Sequence, residues 1–204
     1  LDSHTGRVYC TTCHVPSFAR VDPTDMVRDW STPVYDAEKD KYGPKITLEK
    51  DVAPVYAWFD GTTVAQLPGE PARANAAGAV GMMLPHGAKA DPASRIYAFK
   101  LHRGRLPILR DERWIVPIVV EEFFADGDID KAVKSAAKQF YGVADAAYDW
   151  IDTERLMGIF HEVPPATEAL GCLDCHRPGG RMDWKALGYD GDPLAAALAK
   201  PPAP

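Results

Sequence analysis

All four cysteines of this 204-residue chain fall in two copies of one pattern. "YCTTCH" sets Cys10 and Cys13 three apart with His14 directly after, and "GCLDCH" repeats this with Cys172, Cys175 and His176. Cysteines three apart on a helical turn point to one side. Two thiols so placed can add across the two vinyl groups of one porphyrin, and the adjacent imidazole can swing under its iron. C-x-x-C-H therefore reads as a c-type haem attachment site.

Other chemistries also use paired cysteines. Four thiolates can hold one zinc ion, but these pairs stand far apart in sequence, and such a site has no use for a histidine after each. Thioredoxin-like exchange places C-x-x-C after a strand, without a trailing histidine or a second copy. Structural disulfides suit an oxidising compartment and leave both histidines unexplained. Two complete motifs with no spare cysteine point to two c-type haems bound through Cys10, Cys13, Cys172 and Cys175, with His14 and His176 on the irons. Haem c is attached outside the cytoplasm, so the expected location is the periplasm or exterior of a bacterium or archaeon.

Each iron then needs a sixth ligand or an open face. Four of the six histidines remain: His4, His86, His102 and His161. Methionine is the other common choice. Met82 and Met83 in "VGMMLPHG" suit the first motif passably, but too little chain follows His176 for a second methionine loop. His4 stands close before Cys10, too close to reach over its own haem comfortably; it reads as a surface residue or as the ligand of a different haem.

The composition narrows the class. Apolar residues make up 46% of the chain and charged ones 25%, enough for a packed core and against wholesale disorder. The formal charge of −6 argues against nucleic acid as a partner. It suggests a positively charged docking partner. No apolar run approaches the length of a membrane span. No basic-then-apolar leader precedes Cys10, as expected of a processed chain or a piece of a longer one. With 18 prolines and 16 glycines, many turns and modest regular structure are expected.

The expected fold is mainly α with extensive loops: one dihaem cytochrome c domain over residues 1–204, organised around its porphyrins. Residues 31–60 read as loop, 61–95 as a wrapping segment outside the core, and 96–107 as a weak helical pattern. Pro117 argues against a central strand in the apolar run 113–124. Residues 126–142 form the best helix. Asp128 or Asp130 caps it, Ala132, Val133, Ala136, Ala137 and Phe140 share a face, and Gly142 stops it. Residues 145–160 read as a second helix leading to His161, and the tail as a short helix with a frayed end. The five tryptophans would pack well on porphyrin edges, but ordinary core packing is the preferred reading for any single one.

The chain resembles the C-terminal part of the octahaem cytochromes of the tetrathionate reductase family. The matching stretches are "CTTCHVPSFAR", "DMVRDWST", "SRIYAFKLHRGRLP", "GIFHEVPPATEALGCLDCH" and "GGRMDWKALGYDGDP". The resemblance implies bis-histidine ligation at most haems, and it makes His4, His102 and His161 look like distal ligands. The family's catalytic haem, with its lysine ligand, belongs to an N-terminal part that nothing here matches. Its activity therefore does not carry over. The expected function is electron transfer between redox partner proteins, without a catalytic haem. Two alternatives stand beside it: a subunit or fragment of a multihaem oxyanion reductase, and a subunit that aligns haems in an assembly. The assembly is motivated by count: three family-like distal histidines exceed two haems, so one could serve a further copy of the chain or another cytochrome.

Overall fold

A computed structural model describes residues 2–199. Its backbone overturns the expected mainly α class: strand outweighs helix, 34% to 20%. Two short helices, α1 (Asp2–Thr5) and α2 (Cys10–His14), precede a hairpin of β1 (Thr24–Asp36) and β2 (Lys41–Glu49). Then come β3 (Val55–Phe59), β4 (Thr63–Ala65), β5 (Val80–Pro85) and the long β6 (Arg95–Leu109). Helices α3 (Val120–Asp126) and α4 (Ile129–Tyr141) lead to β7 (Tyr148–Gly158), and α5 (Cys172–Cys175) and α6 (Pro193–Leu198) end the described chain.

The seven strands make one sheet in the order β2-β1-β6-β7-β5-β4, with β3 also on β6. β6 is the organising strand. Its first half, from Arg95 to Phe99, pairs antiparallel with β3, and Arg103–Arg105 runs parallel to β1. On its other side β7 pairs antiparallel from Phe99↔Gly158 to Leu109↔Tyr148. Such long-range pairing leaves little local trace. Residues 96–107 and 145–160 carry apolar positions that suit a helix, yet cross-strand partners make both extended. The stretch 31–60 holds the end of β1, all of β2 and β3, and the turn between the first two. There Asp40, at a φ of 47°, accepts from the Tyr35 hydroxyl at 2.6 Å. The stretch 61–95 is not merely a wrap, since Ala72 and Val80 are buried with Ile108 and Ile115.

The helix read over 126–142 is α4. Asp128, not Asp130, caps it, accepting from the Lys131 backbone N–H at 3.0 Å. Gly142 closes it in the left-handed region at a φ of 71°, where a side chain would be strained. Ala132, Val133, Ala136 and Ala137 are buried, and Leu109, Val116 and Ala146 join the last three in one core cluster. Phe140 is not on that buried face; it is 53% exposed. Pro117 lies outside every strand, as expected. The tail forms α6, capped by Asp192, whose side chain accepts from the Leu194 N–H at 2.9 Å; residues 200–204 lie outside the described residues.

Candidate functional site

Both C-x-x-C-H motifs fold as short helices, and the sheet brings them together. α2 is fastened to the start of β6. The Tyr9 N–H donates to the Ile96 carbonyl at 2.9 Å, and the buried Thr12 hydroxyl donates to the same oxygen at 2.7 Å. Tyr9 stacks on Tyr97 at 4.2 Å, and fully buried Val15 anchors the far end beside Phe18 and Ile159. In α5, Asp174 accepts from the Gly171 N–H at 2.8 Å and steadies the entry turn. The Leu170 N–H donates to the Cys13 carbonyl at 2.9 Å, so the chain entering the second motif leans on the first. Arg181 donates to the Pro16 carbonyl and ties the same two segments on their exit side.

None of the four thiols is in a disulfide. Burial pushes the Cys13 thiol above its ordinary value, helped by Cys10 and Cys172, and pushes Cys175 up to about 11, helped by Cys13 and Asp174. Zinc ligands and exchange-active thiols need the opposite, a stabilised thiolate. Among the described residues no group of three or more His, Cys, Asp or Glu side chains could hold a metal ion.

The second motif's histidine is set with care. His176 Nδ1 meets the Asp192 carboxylate at 2.7 Å, and the ring stacks on Trp184 at 5.0 Å with 21° between the planes. Burial would raise the Asp192 carboxyl, but the bond from His176 and the Leu194 N–H outweigh it and hold the group below its ordinary value. A carboxylate only accepts, so Nδ1 carries the proton and Nε2 keeps its lone pair. Across from it stands His4, with ring centres 6.0 Å apart and planes at 63°. Two imidazoles sharing one metal, each bonded at about 2 Å, place their ring centres about 6 Å apart.

The other histidines lie elsewhere. The half-buried His14 ring makes no hydrogen bond, ion pair or ring contact among the described residues. His102 is buried in β6, its Nε2 3.4 Å from Asp25 Oδ1. Burial lowers its pKa against the pull of Asp25. It lines a cavity of about 280 Å³ with Asp25, Arg28, Lys100 and Arg155. Lys100 is engaged there, its Nζ donating to the Thr24 hydroxyl at 2.7 Å. His161 follows β7, 72% exposed, with Nδ1 3.5 Å from Glu162. Neither His102 nor His161 touches His14 or His176 among the described residues. His86 pairs with Asp60 at 2.6 Å; that bond first, then two from Thr62, hold the Asp60 carboxyl down to about 2. Met82 packs on the Ala72–Val80 cluster and Met83 faces outward at β5.

Sequence reasoning missed three contributors. Asp192 lies sixteen residues past His176, a separation with no periodic meaning; only its place before Pro193 marks it, and that signals a helix cap. Trp184 does both: it stacks on His176 and packs against the core cluster of Trp58, Ile96 and Leu187. The Tyr56 hydroxyl is buried, which raises its pKa, and the Arg181 guanidinium lies near enough to oppose that, with Cys13 and Cys175 close by.

The family model described as bacterial cytochrome c matches residues 22–179. Among solved structures, the octaheme cytochrome c from Shewanella oneidensis superposes with a TM-score of 0.82 at 32% identity, over 95% of this chain. This bears out the resemblance to octahaem cytochromes read from the motifs. The chain spans about half of that structure, 48% of its length. No curated protein matches significantly. A c-type haem is thus the cofactor of this fold, and the chain belongs to the bacterial cytochrome c family.

Proposed function

We propose that this chain is an exported dihaem c-type cytochrome that passes single electrons between redox partners in the periplasm or outside the cell. The observation that carries the reading is the joining of the two motifs by the 2.9 Å bond from Leu170 to Cys13. Donor and acceptor sites fastened together need no motion to exchange an electron.

The residues present fit the cofactor. Cys10 and Cys13 would hold one porphyrin with His14 beneath its iron, and Cys172 and Cys175 the other with His176 beneath. Leu173, between the second pair of thiols, is 67% exposed, and Phe160, which packs edge-on to Tyr9 beside the first motif, also leaves apolar surface in water. A porphyrin would cover such surface. The buried Tyr56 hydroxyl and nearby Arg181 offer donors to a carboxylate that the chain itself does not supply. A c-type haem, when bound, supplies a one-electron iron couple. His4 suits the sixth position opposite His176. For His14, we assign the distal role to His161, whose Nε2 faces away from Glu162; His102 Nε2 is instead turned toward Asp25. Asp192 fixes the His176 tautomer and strengthens it as a ligand. The acidic surface favours a basic docking partner.

A second reading is favoured by one observation: the chain spans 48% of an octaheme protein. It could then be the electron-delivering part of a larger multihaem reductase acting on sulfur or nitrogen oxyanions. A reductive titration of the purified chain tests the first reading. Two electrons are taken up per chain, in one-electron steps, with no turnover of oxyanions. Uptake of one electron or none overturns it, and oxyanion turnover by the chain alone favours the second.

A further inference from the structure

We propose that His86 is an axial ligand in trans: its Nε2 completes the coordination of a c-type haem iron carried by another molecule. The proposal extends the haem reading above to a site that serves neither haem of this chain.

The side chain is held as a ligand is held. Asp60 opens the turn after β3 and His86 follows β5. The Asp60 N–H donates to the His86 carbonyl at 2.9 Å, and the His86 N–H to the Thr62 carbonyl at 2.8 Å. Asp60 Oδ1 accepts from the Thr62 N–H at 2.8 Å and from its hydroxyl at 2.7 Å. Asp60 Oδ2 takes the His86 Nδ1 at 2.6 Å. The backbone just behind the ring is fixed as well. Gly87 sits at a φ of 150°, and an added Cβ would come within 2.8 Å of the Phe59 nitrogen. The ring itself remains 63% exposed on this rigid base.

The bond pattern sets the tautomer. The carboxylate accepts, so Nδ1 keeps its proton and Nε2 is the nitrogen turned to solvent; Asp60 also raises the ring's pKa, so Nε2 binds iron after giving up any proton it carries. His176 has this arrangement with Asp192 at 2.7 Å. Among the described residues, no other histidine has Nδ1 bonded to a carboxylate: His161 stands 3.5 Å from Glu162, and His102 turns Nε2, not Nδ1, to Asp25. A carboxylate on Nδ1 orients an imidazole and strengthens it as a ligand.

The setting also selects the metal. Among the described residues no further set of ligating side chains converges at His86. An aqueous cation would be held by one imidazole alone. A haem iron already holds four pyrrole nitrogens and a proximal histidine, so one imidazole is all it lacks. The bond formed is Nε2 to iron and the bond broken is iron to water. Nδ1 keeps its proton, any proton on Nε2 is released to water as iron takes its place, and no electron moves.

The test titrates the haem-loaded chain with a haem c peptide that has one histidine ligand and water on its sixth site. The wild type turns the probe's spectrum from high-spin to low-spin and saturates. His86→Ala weakens binding by at least about tenfold, and Asp60→Asn, which keeps the imidazole but frees the ring, by about tenfold. A wild type that leaves the probe high-spin, or a His86→Ala variant that binds it equally well, overturns the proposal. The covalent haem content of His86→Ala, read by mass, stays at the wild-type value and shows that folding is intact. Sedimentation then identifies the source of the iron. Self-association lost in His86→Ala means a second copy, whereas a monomeric wild type that binds the probe means a different cytochrome. Absence of covalent haem on the chain would sink the electron-carrier reading, while the probe titration would still judge His86.

Discussion

His4→Ala converts one of the two haems to a high-spin form with an open or water-filled sixth site and leaves the other low-spin. His4 reaches the second motif from α1, before the first motif begins, and its ring centre lies 6.0 Å from that of His176. That span matches two imidazoles on one metal at about 2 Å each. Low-temperature EPR of the oxidised variant shows one high-spin and one low-spin signal, and added imidazole restores the second low-spin signal. His4 is exposed and buries little, so the variant still folds and loses only what the bond to iron contributes. Two low-spin signals in the variant would show that His4 does not ligate. The second haem's potential should also rise as a strong donor is lost.

Replacing both Cys172 and Cys175 by Ala leaves a chain with one covalent haem. The two motifs are attached by separate thiols, and the first is built on its own contacts: Thr12 and Tyr9 on Ile96, with Val15 in the core. Loss of the second haem therefore spares the first. Electron uptake falls from two to one per chain. The variant is less stable, because Leu173, 67% exposed between the two replaced thiols, stays in water where a porphyrin would cover it. Cys175 is buried, and truncating it removes further contacts. Retention of two haems by mass would contradict the assignment of these thiols.

The chemistry was legible because it is local. A thiol pair and an imidazole on one helical turn need no long-range information, and the whole pattern lies within five residues. The α4 helix was legible for the same reason, with Asp128 before it, Gly142 after it and alanines down one face. The sheet was not. β7 occupies a stretch whose Tyr148, Ile151 and Leu156 suit a helix as well as a strand, and its pairing with β6 decides the outcome from fifty residues away in sequence. The hairpin of β1 and β2 hides behind Pro33, Pro44 and a run of charges that also mark loops. Asp192 and Trp184 escaped because a partner that orients a ligand has no fixed spacing from it. The His4–His176 approach was foreshadowed only by elimination, His4 being too near its own motif to serve it.

Intact mass of the purified, denatured chain after acid–acetone extraction tests the central claim most directly. The account predicts a coloured polypeptide heavier than its sequence by two haems, with both adducts mapping to peptides containing Cys10–His14 and Cys172–His176. A colourless chain at the mass of its sequence would contradict it.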